Sequence, residues 1–235
     1  MKLARDIRVF AVALTASLAA SAAMAAELVV VEARNVDLKQ GETVDDSKPL
    51  TLKEGQQVTL IAEDGTILTL RGPYDRAPGG GAGGVDVGKA LEALTTKNSV
   101  RNVAGVVRTG EATVRLPSPW LVDVSHPGTA CVRPGEKPVL WRDRGEGGGD
   151  KITVIPADRS WLASTEWPRG SATMLAPSNF PVRDGRTYLV DFGDKPVAVT
   201  LSELSPAAVN PRMQAAWMIE KGCVAQAEAL LRTVR

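Results

Sequence analysis

Turn residues punctuate this chain more heavily than anything else in it. It has 22 glycines and 15 prolines in 235 residues. They fall between short runs rich in Val, Leu, Ile and Thr. Runs of that length fit strands, and the punctuation argues against a helical bundle. The expected fold class is mainly β with α. It comprises a small N-terminal β module, a Gly-rich linker and helix, a C-terminal β-sandwich-like domain and a terminal helical hairpin. Hydrophobic residues make up 44% of the chain, enough for a real core, but aromatics only 4%, so that core must be largely aliphatic.

The first 25 residues carry the pattern of an export leader. Lys2, Arg5 and Arg8 precede the apolar run Val9–Leu18, and Ala23-Met24-Ala25 supplies a small-x-small cleavage motif. Cleavage is expected after Ala25. Removing three basic side chains and Asp6 takes the net charge from +1 to −1, which offers nothing to nucleic acid or to anionic lipid. No later stretch is long and apolar enough to span a bilayer. The expected address is the periplasm or the exterior, with no direct membrane insertion after cleavage. In that setting Cys131 and Cys223 are expected to form a disulfide. Closing a loop of about 90 residues contributes about 4 to 5 kcal/mol by chain entropy.

The expected organisation is a leader at 1–25, a β module at 26–75, a linker and helix at 76–110, a β-sandwich-like domain at 111–204 and a helical hairpin at 205–235. Within the β module, Leu38-Lys39-Gln40-Gly41-Glu42-Thr43-Val44 and Leu52-Lys53-Glu54-Gly55-Gln56-Gln57-Val58 repeat Leu, Lys, Gly and Val in register. They predict two similar turn-to-strand corners. Asp64-Gly65 predicts a two-residue hairpin turn with φ > 0 at both residues. That turn groups Val58, Leu60, Ala62 and Ile67 on one face and Ile61, Leu68 and Leu70 on the other. Both faces are apolar, so both should be covered. Val87, Ala90, Leu91 and Leu94 predict a helix from about Asp86 to Lys97.

Further on, strands are expected at Ala112–Leu116, Leu121–Val124, Val139–Arg142, Lys151–Ile155, Ala172–Leu175, Thr187–Phe192 and Val197–Leu201. Ser205-Pro206 is expected to start a helix with Met213, Trp217 and Met218 inward. After Lys221-Gly222, a second helix from Cys223 to Val234 should bury Ala227, Leu230, Leu231 and Val234.

Leu52–Pro73, with L-K-x-G-x-x-V-T-L, then D-G, then L-T-L-R-G-P, resembles the FecR-like domain of bacterial envelope proteins, and 28–51 does so more loosely. The resemblance implies a β-rich extracytoplasmic module, in some members one that relays surface signals. This chain differs in carrying a cleavable leader in place of a cytoplasmic anti-sigma segment.

The chemistry-bearing residues are few. Gly83-Gly84-Val85-Asp86-Val87-Gly88-Lys89-Ala90 fits a phosphate-binding loop up to Ala90, which lacks the hydroxyl that would hold Mg²⁺. The lone histidine, His126, follows Ser125 without a nucleophile elbow. No catalytic, metal or cofactor set is expected. Of the five tryptophans, Trp161 and Trp167 are the candidates for partly exposed binding aromatics, although residues of this kind more often fill a core, and that reading is favoured for both. The function expected is that of an exported non-catalytic binding or scaffold protein of the cell envelope, its partner an unknown protein or envelope component. The alternatives are a sensor acting through a membrane partner and a hydrolase using carboxylates or Ser125 and His126.

Overall fold

The structure is a computed structural model that describes residues 26–79, 83–94, 115–143, 151–178, 180–193 and 195–234. The fold is mainly β with α, as the turn punctuation predicts. In the N-terminal part, β1 (Glu27–Arg34), β2 (Thr43–Asp45), β4 (Gln57–Ile61) and β5 (Ile67–Arg71) form an antiparallel sheet in the order β2-β1-β4-β5. The short strands β3 (Leu50–Leu52) and β6 (Tyr74–Arg76) pair separately. The sequence reading did not single out these two; β6 ends at Arg76, the first residue of the stretch it assigned to the linker and helix.

The two repeated corners are the same structure. In each, the fourth residue's N–H bonds back to the lysine carbonyl, Glu42 to Lys39 and Gln56 to Lys53, both at 3.0 Å. Gly41 and Gly55 take φ +83° and +79° at the third position, the mark of a type II turn. The Glu42 carboxylate and the Gln56 carbonyl then accept the Lys39 and Lys53 N–H groups. The repeat therefore encodes a self-capped turn.

The hairpin is present, but its turn is not the two-residue one. Gly65 N–H bonds to Ala62 O and Ala62 N–H to Thr66 O, both at 2.9 Å, and only Gly65 of the pair has positive φ, +85°. This is a three-residue loop closed by a glycine bulge. The Asp64 carboxylate stabilises it by accepting Thr66 N–H. The extra residue moves the register by one, so Ile61 faces Ile67, Leu60 faces Leu68 and Val58 faces Leu70. A one-residue slip exchanges every side chain of a strand between faces. The expected face groups are corrected accordingly. Val58, Leu60, Leu68 and Leu70 pack with Leu28, Val30 and Leu52, whereas Ile61 and Ile67 join Val29 and Val31 on the opposite face. Both faces are covered, as expected.

Helix α1, described over 87–94, and α2 (Pro211–Glu220) cover that second face. α2 starts at Pro211 rather than at Ser205-Pro206. Asn210 caps it by accepting the Arg212 and Met213 N–H groups, and proline is well placed in the first turn. Met213, Ala215, Ala216, Trp217, Met218 and Ile219 are all buried, so α2 is apolar almost all round. Fully burying one large apolar side chain contributes roughly 1.5–3 kcal/mol. A Schellman turn ends the helix, with Cys223 N–H on Met218 O at 2.7 Å, and leads into α3 (Val224–Thr233). Ala227 and Leu230 are buried there as expected, Leu231 is half-buried, and Val234 is exposed because the helix has already ended.

Both ends of α2 are tied to the N-terminal sheet. At the start, Asn210 Nδ2 donates to Glu63 O at 2.8 Å. At the end, Lys221 Nζ donates to Val31 O at 3.1 Å. Val31 is the extra residue of a bulge in the β1–β4 ladder, so the lysine reaches the backbone where the ladder is interrupted.

The C-terminal part is a β-sandwich. One sheet runs β11-β10-β13-β14-β8 and the other β12-β9-β7. The strands are β7 (Leu121–Asp123), β8 (Gly128–Val132), β9 (Val139–Trp141), β10 (Lys151–Pro156), β11 (Ala163–Glu166), β12 (Thr173–Leu175), β13 (Arg186–Asp191) and β14 (Val197–Glu203). Val122, Leu140, Ile152, Val154, Val190 and Leu201 are among the residues buried between the sheets. The expected strands fall close to six of these. The list missed β8 and β11, and Ala112–Leu116 lies mostly outside the described residues. β7–β9 and β8–β14 are parallel pairs.

Gly55 and Gly65 share their backbone conformation but not their surroundings. A Cβ on Gly55 meets open space, whereas one on Gly65 would lie 3.0 Å from the Cβ and O of Arg212 in α2. Gly55→Ala should cost about 1–2 kcal/mol, from the left-handed backbone alone. Gly65→Ala should cost about 1 kcal/mol or more beyond that, because the helix must shift. Urea denaturation of the two variants measures the difference; equal costs would contradict the close approach of α2.

Candidate functional site

The lone histidine sits just after β7, where the chain turns toward β8. Asp123 organises that turn. Its Oδ1 accepts Ser125 N–H at 2.7 Å, and its Oδ2 lies 2.9 Å from His126 Nδ1. A carboxylate can only accept, so the neutral imidazole carries its proton on Nδ1 and its lone pair on Nε2. His126 is partly open to solvent. Sequence reasoning missed Asp123, although a carboxylate three residues before a turn histidine is a readable signal. The Ser125 hydroxyl faces another way and accepts Asp143 N–H at 3.1 Å. The cluster thus contains an oriented base with no nucleophile bonded to it among the described contacts. As built, it closes a turn.

The two candidate aromatics separate. Trp167 is 1% exposed, which corrects its candidacy as an exposed binding aromatic and agrees with the favoured core reading. It follows β11, and its indole N–H donates to Ser171 O at 2.7 Å. Its ring packs 5.6 Å from Phe192. The buried Arg142 guanidinium lies 4.8 Å from the Trp167 centroid. A ring with one polar edge is well used there, its face against a cation and its N–H paired. Trp161 is half-buried. It packs edge-on to Phe180 at 6.1 Å, and Phe180 packs on Tyr188 at 4.7 Å. These three rings pack together against the core between the two sheets. Burial raises the pKa of the Tyr188 hydroxyl above its ordinary value, and its donation to Pro181 O favours the same protonated form.

The turn ahead of Trp161 is electrostatically fixed. The Ser160 hydroxyl and N–H both donate to Asp158, whose carboxylate also meets Arg186, and together they pull its pKa down to about 2. The stretch that mimics a phosphate loop is also accounted for. Asp86 caps α1 by accepting Gly88 and Lys89 N–H. The donors that would cradle a phosphate hold the chain's own carboxylate instead. Among the described residues, no group of three or more His, Cys, Asp or Glu converges as metal ligands.

Cys131 and Cys223 form the disulfide, with Cα atoms 5.8 Å apart. Cys131 lies on β8, an edge strand, and its outward N–H and C=O would be stranded in the core. Gln226 of α3 pairs with both. Its carbonyl accepts Cys131 N–H at 2.5 Å, and its amide donates to Cys131 O at 2.8 Å and to Pro119 O at 3.0 Å. Gln226 is 2% exposed and was not singled out from sequence.

The low pKa of Asp158 sets a sign for acid stability. Below the ordinary carboxylate pKa of about 4, the unfolded chain takes up a proton that the folded one still excludes. Asp158 therefore stabilises the fold above about pH 4 and loses that effect as pH falls toward 2. Asp45, also pulled down to about 2 by the Ser47 hydroxyl and N–H and by Lys48, acts in the same direction. Asp158→Asn should flatten the loss of urea midpoint between pH 5 and 2.5. An unchanged acid limb would contradict the assignment.

Compared with protein-family models, with curated proteins and with solved structures, the chain finds no match in any of the three.

Proposed function

We propose that the chain is an exported, non-catalytic binding or scaffold protein of the bacterial cell envelope. The Cys131–Cys223 bond is the observation that carries this reading. A buried disulfide closing 92 positions persists where thiols oxidise, and such a setting lies outside the cytoplasm. The leader-like 1–25 supports the same address. So does the likeness of Leu52–Pro73 to FecR-like modules. No helix among the described residues is long and apolar enough to cross a membrane.

A binding role is supported by where the reactive side chains are spent. Ser125, His126 and Asp123 hold a turn, Asp86 caps a helix, and Trp167 fills the core. The partner is then an unknown protein or another envelope component. A hydrolase reading draws on one observation, the Asp123–His126 bond.

Intact-mass measurement of the protein from the cell envelope should give residues 26–235 less two hydrogens, and cross-linked pull-down should retain a defined envelope partner. A full-length polypeptide with two free thiols would overturn the address. Hydrolytic activity abolished by His126→Ala would overturn the binding role.

A further inference from the structure

We infer that Asp46 is the receptor for a new amino terminus at Ala26, and that leader cleavage thereby completes the first sheet. The inference rests on the export reading and adds to it a defined role for the cut end.

The β1–β2 ladder pairs Val29 with Thr43, Leu28 with Val44 and Glu27 with Asp45. It continues one residue further. Asp46 N–H donates to Ala26 O at 3.0 Å, and Ala26 N donates to Asp46 Oδ1 at 3.0 Å. The small-x-small motif Ala23-Met24-Ala25 ends at the residue before. Cleavage after Ala25 thus leaves the whole ladder intact. One residue later, it would remove the last rung.

A leader protease supplies the chemistry. Water adds across the Ala25–Ala26 peptide bond, and the C–N bond breaks. The water oxygen stays on the Ala25 carboxylate, and the released Ala26 amine takes up a proton. A neutral amide donor becomes an ammonium already at hydrogen-bond distance from a carboxylate. Charge-assisted bonds of this kind are roughly twice as strong as neutral ones.

Asp46 is itself held in place, because its carbonyl accepts Gly79 N–H at 2.9 Å. The neighbouring Asp45 carboxylate is taken up by Ser47 and Lys48. Ala26 also lines a groove with Glu63 and Asp64 of the hairpin loop and with Arg212 of α2. Arg212 lies 4.0 Å from Asp86. With Glu27 beside it, the charge around Ala26 is net negative and suits an ammonium group.

The test uses the full-length precursor, produced in an exporting bacterium and purified after processing, as wild type and as Asp46→Asn. Sequencing should begin at Ala26. The rate of amine labelling against pH should place the wild-type amine about half a unit or more above the ordinary 7.7–8.0, and nearer that range in Asp46→Asn. The wild-type Tm should exceed the variant's by about 1–3 °C below pH 8. That gap should close as pH rises through the amine pKa, because the ammonium is then lost. A first residue other than Ala26 would overturn the inference at the processing step. An Ala26 amine titrating alike in both proteins would overturn the docking and leave the export reading standing. If Asp46→Asn does not fold, a wild-type amine within the ordinary range would overturn it alone.

Discussion

The N-terminal sheet has two apolar faces, and the strands around it can cover only one. The second face, with Val29, Val31, Ile61 and Ile67, is closed largely by α2, which arrives from the far end of the chain. That burial is the interaction on which the rest of the structure depends. It explains why α2 is apolar nearly all round, since it must satisfy the sheet on one side and α3 with β8 on another. It also explains the polar ties at its ends. Asn210 and Lys221 fix where the helix lies by bonding to backbone carbonyls of the hairpin loop and of the β1 bulge. Apolar contact alone is not directional, and these bonds supply the direction.

The same helix pair is fastened to the sandwich by different means. Cys223 stands at the start of α3 and is bonded to Cys131, and one turn later Gln226 completes the edge of β8 at the same residue. The two devices do separate work. The disulfide acts mainly by restricting the unfolded chain. The glutamine acts in the folded state, because each buried backbone group left unpaired would cost about 1–3 kcal/mol. Two β modules distant in sequence are therefore joined through one helical hairpin.

Most of the strands were legible because turn residues bracket them, and the disulfide because two cysteines admit one pairing. Three things were not, each for a physical reason. The hairpin register was hidden because both faces of β4 and β5 are apolar, so alternation cannot choose between a two-residue turn and a three-residue loop. β8 was hidden because Pro127-Gly128 marks a turn while the strand begins at that glycine, and its pairing is parallel and distant. Which of Trp161 and Trp167 is the fully buried one was set by Arg142 and Phe192, which meet Trp167 only in the folded chain. The Asp123–His126 bond and the role of Gln226 depend on geometry that spacing alone does not give.

If one hairpin holds both β modules, the modules should unfold together. The most direct measurement is amide hydrogen exchange of the oxidised protein across a denaturant series, read by mass spectrometry on peptides from β1 and β4 and from β10 and β13. Shared burial against α2 predicts that all four strands lose protection at one denaturant concentration, together with the Trp217 environment. Loss of protection across 27–71 while the sandwich stays protected would show that the helix does not couple them, and would contradict the joint.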